Sequence, residues 1–192
     1  MKKITVIASL AAALLSGMNA NAQAAKWSLD KAHAKLGFTI THMMVSDVDG
    51  SFKNFDASIN TNGKDFANAS VEMTADVASV NTDNEKRDAH LKTGDFFDAE
   101  KYPKITFKST SFKKGKGDNY TVTGELTMHG VKKTVTLNAV AKTGTNPYTK
   151  KETAGFKITG KIKRTDFNVG GAGGAMLGEE VEIVANAEFT KD

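Results

Sequence analysis

What most restricts this chain is a period-two alternation of apolar and polar residues, repeated in eight segments. A β-strand sends successive side chains to opposite faces, so strict alternation marks a strand with one buried face. Residues 36–42 set Leu36, Phe38, Ile40 and His42 against Lys35, Gly37, Thr39 and Thr41. The pattern returns over 55–59, 71–77, 105–111, 120–128, 135–141, 156–162 and 181–189. Turn signals separate the segments: Asp49-Gly50, Asn62-Gly63, the run 115–119, His129-Gly130 and Asn146-Pro147. Several of these connections are too short for a crossover helix, so neighbouring strands should run antiparallel.

One-sided strands in this number leave exposed edges unless the sheet closes on itself. The expectation is therefore a mainly β fold, an eight-stranded antiparallel barrel. Phe52 and Phe55 are out of phase by one residue, which a bulge at Lys53-Asn54 would reconcile. One stretch breaks the β pattern. Thr82-Asp83-Asn84-Glu85 offers an N-cap, and a helix is expected to about Lys92, with Gly94 beyond its end. A second short turn, about 97–102, would stop before Pro103. One or two short helices thus fall between the third and fourth strands, with Ala89, Phe96 and Phe97 placed to cap one barrel end. Gly170 to Gly174 reads as a loop before the last strand.

The first residues predict export. Lys2 and Lys3 precede a mostly apolar run from Ile4 to Leu15, followed by Ala20-Asn21-Ala22 and Ala22-Gln23-Ala24. That order reads as a secretory signal peptide over 1–22, with cleavage after Ala22 or after Ala24. The run falls short of the roughly 20 apolar residues a membrane span needs. Residues 23–192 then form a single domain, large enough for a real core. The expected compartment is the periplasm, and with no cysteine the fold rests on burial and strand pairing alone. The net charge is +4, two units of it from Lys2 and Lys3, and the remaining charges are interspersed. No basic stripe is left to hold nucleic acid.

Side-chain size on the inner face points to a hollow interior. An eight-stranded barrel is either filled by its side chains or holds one small ligand. Phe38, Phe107 and Phe156 are large, but Ala57, Ala75, Ser109, Gly124, Ala139, Ala141, Gly160, Ala185 and Ala187 recur on almost every strand. Close packing tolerates few voids, so either a cavity remains or a flattened barrel lets its walls meet over the small residues. An apolar tail would suit a cavity. Each buried methylene contributes ~0.8 kcal/mol against an association cost of ~4–15 kcal/mol, which favours long isoprenoids or acyl chains. On this reading, Phe in place of Gly124 or Ala139 should block the space while the barrel still folds.

Catalytic signals are weak. His42 continues an inward face and is either a core histidine or a ligand contact. His33, His90 and His129 lie on other elements without zinc-binding spacing. Arg87, Asp88 and His90 read as a solvated helix face, with Arg87 and Asp88 alternatively tying the helix to the barrel rim. Ser109 and Ser111 face inward with no nucleophile elbow and no identifiable base. No catalytic residue and no metal site is expected.

Several stretches together resemble the YceI-like polyisoprenoid-binding proteins of bacteria. They are Val80-Asn81-Thr82-Asp83, Arg87-Asp88 with His90-Leu91, Asp95-Phe96-Phe97, and Lys101-Tyr102-Pro103. Gly50-Ser51-Phe52, Gly124 with Leu126-Thr127, His129-Gly130-Val131, Gly155-Phe156 and Asp166-Phe167 add to them. The resemblance spans Trp27 to about Phe189. It implies a lipocalin-like barrel with an elongated apolar tunnel for an isoprenoid quinone or polyprenyl tail, and a carrier or storage protein rather than an enzyme. Carried onto the inward positions of this chain, the ligand-contacting residues are Phe38, Ile40, Phe55, Met73, Val77, Phe107, Ser109, Val122, Gly124, Leu126, Leu137, Ala139, Phe156, Ile158 and Ile183, with His42 at the mouth. No cofactor is expected beyond the bound lipid, and transient contact with a membrane or a membrane cytochrome is the expected partnership. The alternative is a redox accessory protein presenting quinone or haem, though covalent haem attachment is excluded by the absence of cysteine.

Overall fold

The computed structural model describes residues 24–63, 65–171 and 176–192; the expected signal peptide and residues 172–175 of the glycine-rich run lie outside the described residues. Ten strands form the sheet: β1 (Ala25–His42), β2 (Ser46–Phe52), β3 (Phe55–Thr61), β4 (Ser70–Asp76), β5 (Val80–Asn81), β6 (Lys104–Lys114), β7 (Asn119–Met128), β8 (Val131–Thr145), β9 (Glu152–Lys163) and β10 (Leu177–Lys191). Eight of them follow one another in the order β10-β9-β8-β7-β6-β4-β3-β1, and pairing of β1 with β10 closes the barrel. Every pairing is antiparallel.

All eight alternating segments form strands, but the alternation hides three changes of phase. In β1, residues 31–33 bulge out between the pairs Asp30–Glu188 and Ala34–Ala187. Trp27 and Leu29 therefore share an inward face with Leu36 and Phe38 despite opposite parity, and the strand extends well before the sequence pattern begins. In β6, a bulge at Thr110 shifts the phase so that Phe112, not Ser111, turns into the core. Between β2 and β3 the chain makes a corner at Lys53-Asn54 rather than a bulge within one strand. Both strands pair with β1, β2 along residues 36–42 and β3 along residues 25–28. The corner is held where Lys53 N donates to Ser79 O at 3.0 Å and Asn54 N to Ser79 Oγ at 3.0 Å.

Asp49-Gly50, expected as a turn, lies inside β2 opposite Thr39 and Phe38. The turn instead falls on Met43 and Met44, whose φ of 51° and 59° no Asn-Gly or Asp-Gly pair announces. Gly50 is kept because the Phe38 ring occupies the place of its missing side chain.

The helix forms as α1 (Glu85–Leu91), with the Asn84 side chain accepting from Arg87 N at 3.0 Å as N-cap and Lys92 as C-cap. Residues 97–102 fold as turns, not as a second helix, and a 3-10 turn at Val77–Ser79 precedes β5. Ala89 is exposed on α1 and covers nothing, while Phe96 and Phe97 do pack onto the core.

Buried residues occur at both barrel ends, and the densest group of aromatic rings lies at the end away from α1. There Phe66 stacks on Phe156 with ring centroids 4.8 Å apart and on Trp27 at 5.3 Å. Phe112 meets Tyr120 at 5.3 Å, and Phe156 meets Phe189 at 5.6 Å. Tilted and edge-on contacts of this kind fill space densely and add to simple burial.

The small residues on the inner wall do not all leave space. A methyl group at Gly124 would sit 2.5 Å from the Lys108 carbonyl oxygen and 2.5 Å from the Phe107 ring, and one at Gly160 would strike the end of the Leu137 side chain. Each glycine is a seat for a large neighbour on the adjacent strand. The two should respond differently to alanine. Gly124→Ala meets fixed backbone and should cost about 1–3 kcal/mol in urea unfolding. Gly160→Ala meets only a rotatable side-chain tip and should stay within about 0.5 kcal/mol of the parent.

Candidate functional site: an apolar cavity closed at one end

Inside the barrel lies a cavity of about 550 Å³, within the range of small-molecule sites. Its walls are the inward faces of the strands: Phe38 and Ile40 from β1, Phe55 from β3, Met73 from β4, Phe107 from β6, Val122 and Leu126 from β7, Leu137 from β8, Phe156 and Ile158 from β9, and Ile183 from β10. Twelve of the sixteen positions expected from the sequence, with His42, line this space. The other four do not, for separate reasons. Val77 is buried in the 3-10 turn beneath β5, where its amide donates to Pro103 O at 3.0 Å. Ser109 Oγ accepts from Val71 N at 2.8 Å, just beyond the last ladder pair of β4 with β6, so its hydroxyl serves the sheet. Gly124 is covered by the Phe107 ring. Ala139 is buried among wall residues. Phe at Gly124 or Ala139 would therefore break the wall rather than plug the cavity.

The sequence pattern missed other lining residues. Leu29 and Phe112 are hidden by the bulges, and Val48 and Phe52 belong to the strand that was read as a turn. Leu91, Phe96 and Phe97 come from α1 and the turns after it.

Exposed side chains among the lining mark the mouth. They are Arg87, His90 and Met176, at the end where α1 and the starts of β2 and β10 lie. The half-buried His42 faces Leu177 across the β1–β10 ladder there, and both line the cavity. The opposite end is stopped by the Phe66–Phe156 aromatic cluster, so the space is a blind pocket. Among the described lining residues the polar groups lie near the mouth: Thr82, Arg87, His90, His42 and Arg164.

Thr82 ties α1 to the rim. Asp88 Oδ1 accepts from Thr82 N at 2.8 Å and from Thr82 Oγ1 at 2.6 Å. Arg87 donates from Nε to Thr82 Oγ1 and from Nη2 to Thr82 O, both at 2.8 Å. His90 Nε2 lies 3.2 Å from Asp95 Oδ2, with its ring edge-on to Phe96 at 5.0 Å.

Arg164 is the unusual group. It is 3% exposed, and its five hydrogen bonds to described residues all go to backbone carbonyls. Nε donates to Gly178 O at 2.8 Å, Nη1 to Val169 O at 2.8 Å, Gly170 O at 2.9 Å and Gly171 O at 3.1 Å, and Nη2 to Leu177 O at 3.3 Å. Burial lowers its pKa, partly offset by Glu179, yet a guanidinium titrates so high that it stays charged. It pins both ends of the segment between β9 and β10 at the mouth. Its signal was present in the sequence: Arg164 extends the even-numbered inward series Phe156, Ile158, Gly160 and Ile162 by one step.

Asp30, His33 and Glu188 also gather, on the outside of the barrel at the β1 bulge. His33 Nδ1 lies 2.9 Å from Asp30 Oδ2, which raises the histidine pKa and lowers that of the carboxyl.

Comparison with known proteins gives a consistent result. The sequence pattern of the YceI-like domain matches residues 27–189. A UPF0312 protein of Photorhabdus laumondii is 42% identical over 172 residues, covering 88% of each chain. The crystal structure of BcnA from Burkholderia cenocepacia is 31% identical and superposes with a TM-score of 0.74 over 83% of this chain and 98% of its own. A polyisoprenoid binding domain from Saccharophagus degradans shares the fold at 16% identity, with a TM-score of 0.62 over 86% of this chain and 98% of its own.

Removing the Arg164 pin should have a local signature. Arg164→Ala strips five carbonyls of their donor and should lower stability by at least about 3 kcal/mol. Hydrogen exchange should quicken first at the start of β10 and leave β6 and β7 protected. Arg164→Lys should not restore the protection, because an ammonium cannot reproduce the guanidinium fork.

Proposed function

The chain belongs to the YceI-like family, and from that premise we propose that it is an exported, non-catalytic carrier that holds the apolar tail of a polyisoprenoid lipid, an isoprenoid quinone or a polyprenyl chain, inside its barrel. The observation that carries this reading is the blind apolar cavity of about 550 Å³, with its polar groups confined to the mouth. That distribution matches a long tail entering first and a polar head left at the rim, near Arg87, His90 and His42. A buried tail needs no directional partner, since its transfer from water is favourable in proportion to area. A head at the rim keeps its own hydrogen bonds to water and side chains.

Periplasmic residence is part of the proposal and rests on the signal-peptide pattern of residues 1–22. Carriage rather than catalysis is favoured by what the polar groups are doing. Ser109 is bonded to a strand amide, Thr82 to Asp88 and Arg87, and Arg164 to carbonyls. None of these is arranged as a nucleophile with its base.

Protein purified from its own compartment without detergent should show, by native mass spectrometry, one bound species of defined mass that organic extraction identifies as an isoprenoid. An empty protein that also refuses added polyprenols and quinones would end the proposal. Ala185 lines the cavity mid-barrel, paired with Leu36 on one side and Ile158 on the other. Ala185→Phe should fill the space that a tail occupies. Affinity for a long polyprenol should fall at least about tenfold, roughly 1.4 kcal/mol, with thermal stability held or raised.

A further inference from the structure

The largest exposed apolar side chains converge on one place. Met43, Met44 and Val45 form the turn between β1 and β2, and Met44 and Val45 are 68% and 84% exposed. Met176, just before β10, is 70% exposed and is joined to the turn where Met43 N donates to Met176 O at 2.9 Å. Among the described residues the only other large apolar side chain so exposed is Tyr148, in the β8–β9 turn at the blind end.

This arrangement is costly on two independent counts. A β-turn with both central residues at positive φ is the place for Asn and Gly, which tolerate the left-handed region. Met43 and Met44 hold φ of 51° and 59° there, with Val45 N closing the turn onto His42 O at 3.2 Å. A soluble turn is also the place for polar residues, and a contiguous apolar tip in water marks an interaction site. Strain and exposure at the same residues point to function rather than to folding.

The tip is continuous with the cavity. His42, the residue before the turn, and Leu177, the residue after Met176, are paired in the ladder and both line the mouth. Met176 itself belongs both to the lining and to the tip. An apolar tail leaving the barrel along this side passes Leu177 on the cavity wall and then the exposed Met176. The flanking charges are of both signs: Asp47 and Asp49 on β2 are bonded to Thr41 and Thr39, and on β10 Glu180 is paired with Lys161 at 2.6 Å and faces Lys163 across the ladder. Among the described residues beside the tip no basic excess is left to draw an anionic surface, which suits a zwitterionic one.

We infer that the Met43-Met44-Val45 turn and Met176 form a docking tip that dips into a zwitterionic lipid bilayer and brings the cavity mouth against it for tail exchange. The inference rests on the lipid-carrier reading for its purpose, but insertion of the tip can be measured without any cargo.

Because the chain has no cysteine, a single Met44→Cys can carry an environment-sensitive dye, with Tyr148→Cys as the control at the other end. Added phosphatidylcholine vesicles should shift the emission of the dye at position 44 to the blue and leave that at 148 unmoved. The double variant Met43→Asn with Met44→Gly supplies the residues that the turn geometry prefers. It should melt higher than the parent, yet sediment less with phosphatidylcholine vesicles and pass a polyprenol between vesicles at least about tenfold more slowly. Its affinity for that polyprenol free in solution should be unchanged. A dye at 44 that ignores vesicles, or a double variant that transfers polyprenol at the parental rate, would overturn the docking tip. So would a parental dimer that the double variant converts to monomer while vesicle binding stays absent. A protein that shifts the dye but takes up no polyprenol would uphold the tip and remove the carrier reading instead.

Discussion

The seam between β1 and β10 is the constraint on which the rest of this structure depends. It runs from the Trp27–Lys191 pair to the His42–Leu177 pair and turns an open sheet into a closed wall. Closure removes the unpaired edges that an isolated sheet of this length would present. It also fixes which parity of each strand faces inward, because a slip of one residue would exchange the apolar and polar faces of both strands. The seam is not a uniform zipper. The bulge at residues 31–33 lets Trp27 and Leu29 join the inner face at one end while Leu36, Phe38 and Ile40 do so at the other. One strand thereby serves both the aromatic plug and the mouth.

The barrel was legible in the sequence because alternation is enforced along most of each strand by one buried and one solvated face. What escaped were places where the chain changes phase or where a turn lacks turn residues. Phe112 was invisible as a core residue because the Thr110 bulge reverses the parity after Ser109. β2 was read as a turn because Asp49-Gly50 is ordinarily one, whereas Gly50 is there to receive the Phe38 ring. The same ambiguity holds inside the site. Gly124 and Ala139 were read as space, but size on one strand says nothing until the neighbour's side chain is known. Phe107 fills the first place and a closely packed wall surrounds the second. The cavity itself, its mouth polarity and the role of Arg164 needed the strands brought together.

A cavity is a deficit in packing, since its lining loses dispersion contacts that a filled core would have. The fold offsets that deficit at the two ends. At the blind end Trp27, Phe66, Phe112, Tyr120, Phe156 and Phe189 pack edge to face and leave little of themselves in water. At the open end the packed rings of Phe38, Phe52 and Phe97 are joined by polar bonding, through the Thr82–Asp88–Arg87 set on α1 and the Arg164 fan of carbonyl contacts. Burying a cation without a carboxylate is expensive in general. Here the charge is met by the carbonyl dipoles of Val169, Gly170, Gly171, Leu177 and Gly178.

The asymmetry of the ends gives the barrel a direction. A ligand cannot pass through, because the aromatic plug stops the far end, so entrance and exit must share one mouth. Whatever regulates loading must then act at that mouth, where rigid and strained elements sit side by side. α1 is held by its bonds to Thr82, and residues 169–171 and 177–178 by Arg164. The neighbouring Met43-Met44 turn is held in a conformation that its residues disfavour. Relief of that strain on contact with an apolar phase needs no movement of the barrel wall, only a rearrangement of a three-residue turn whose side chains already point away from the protein.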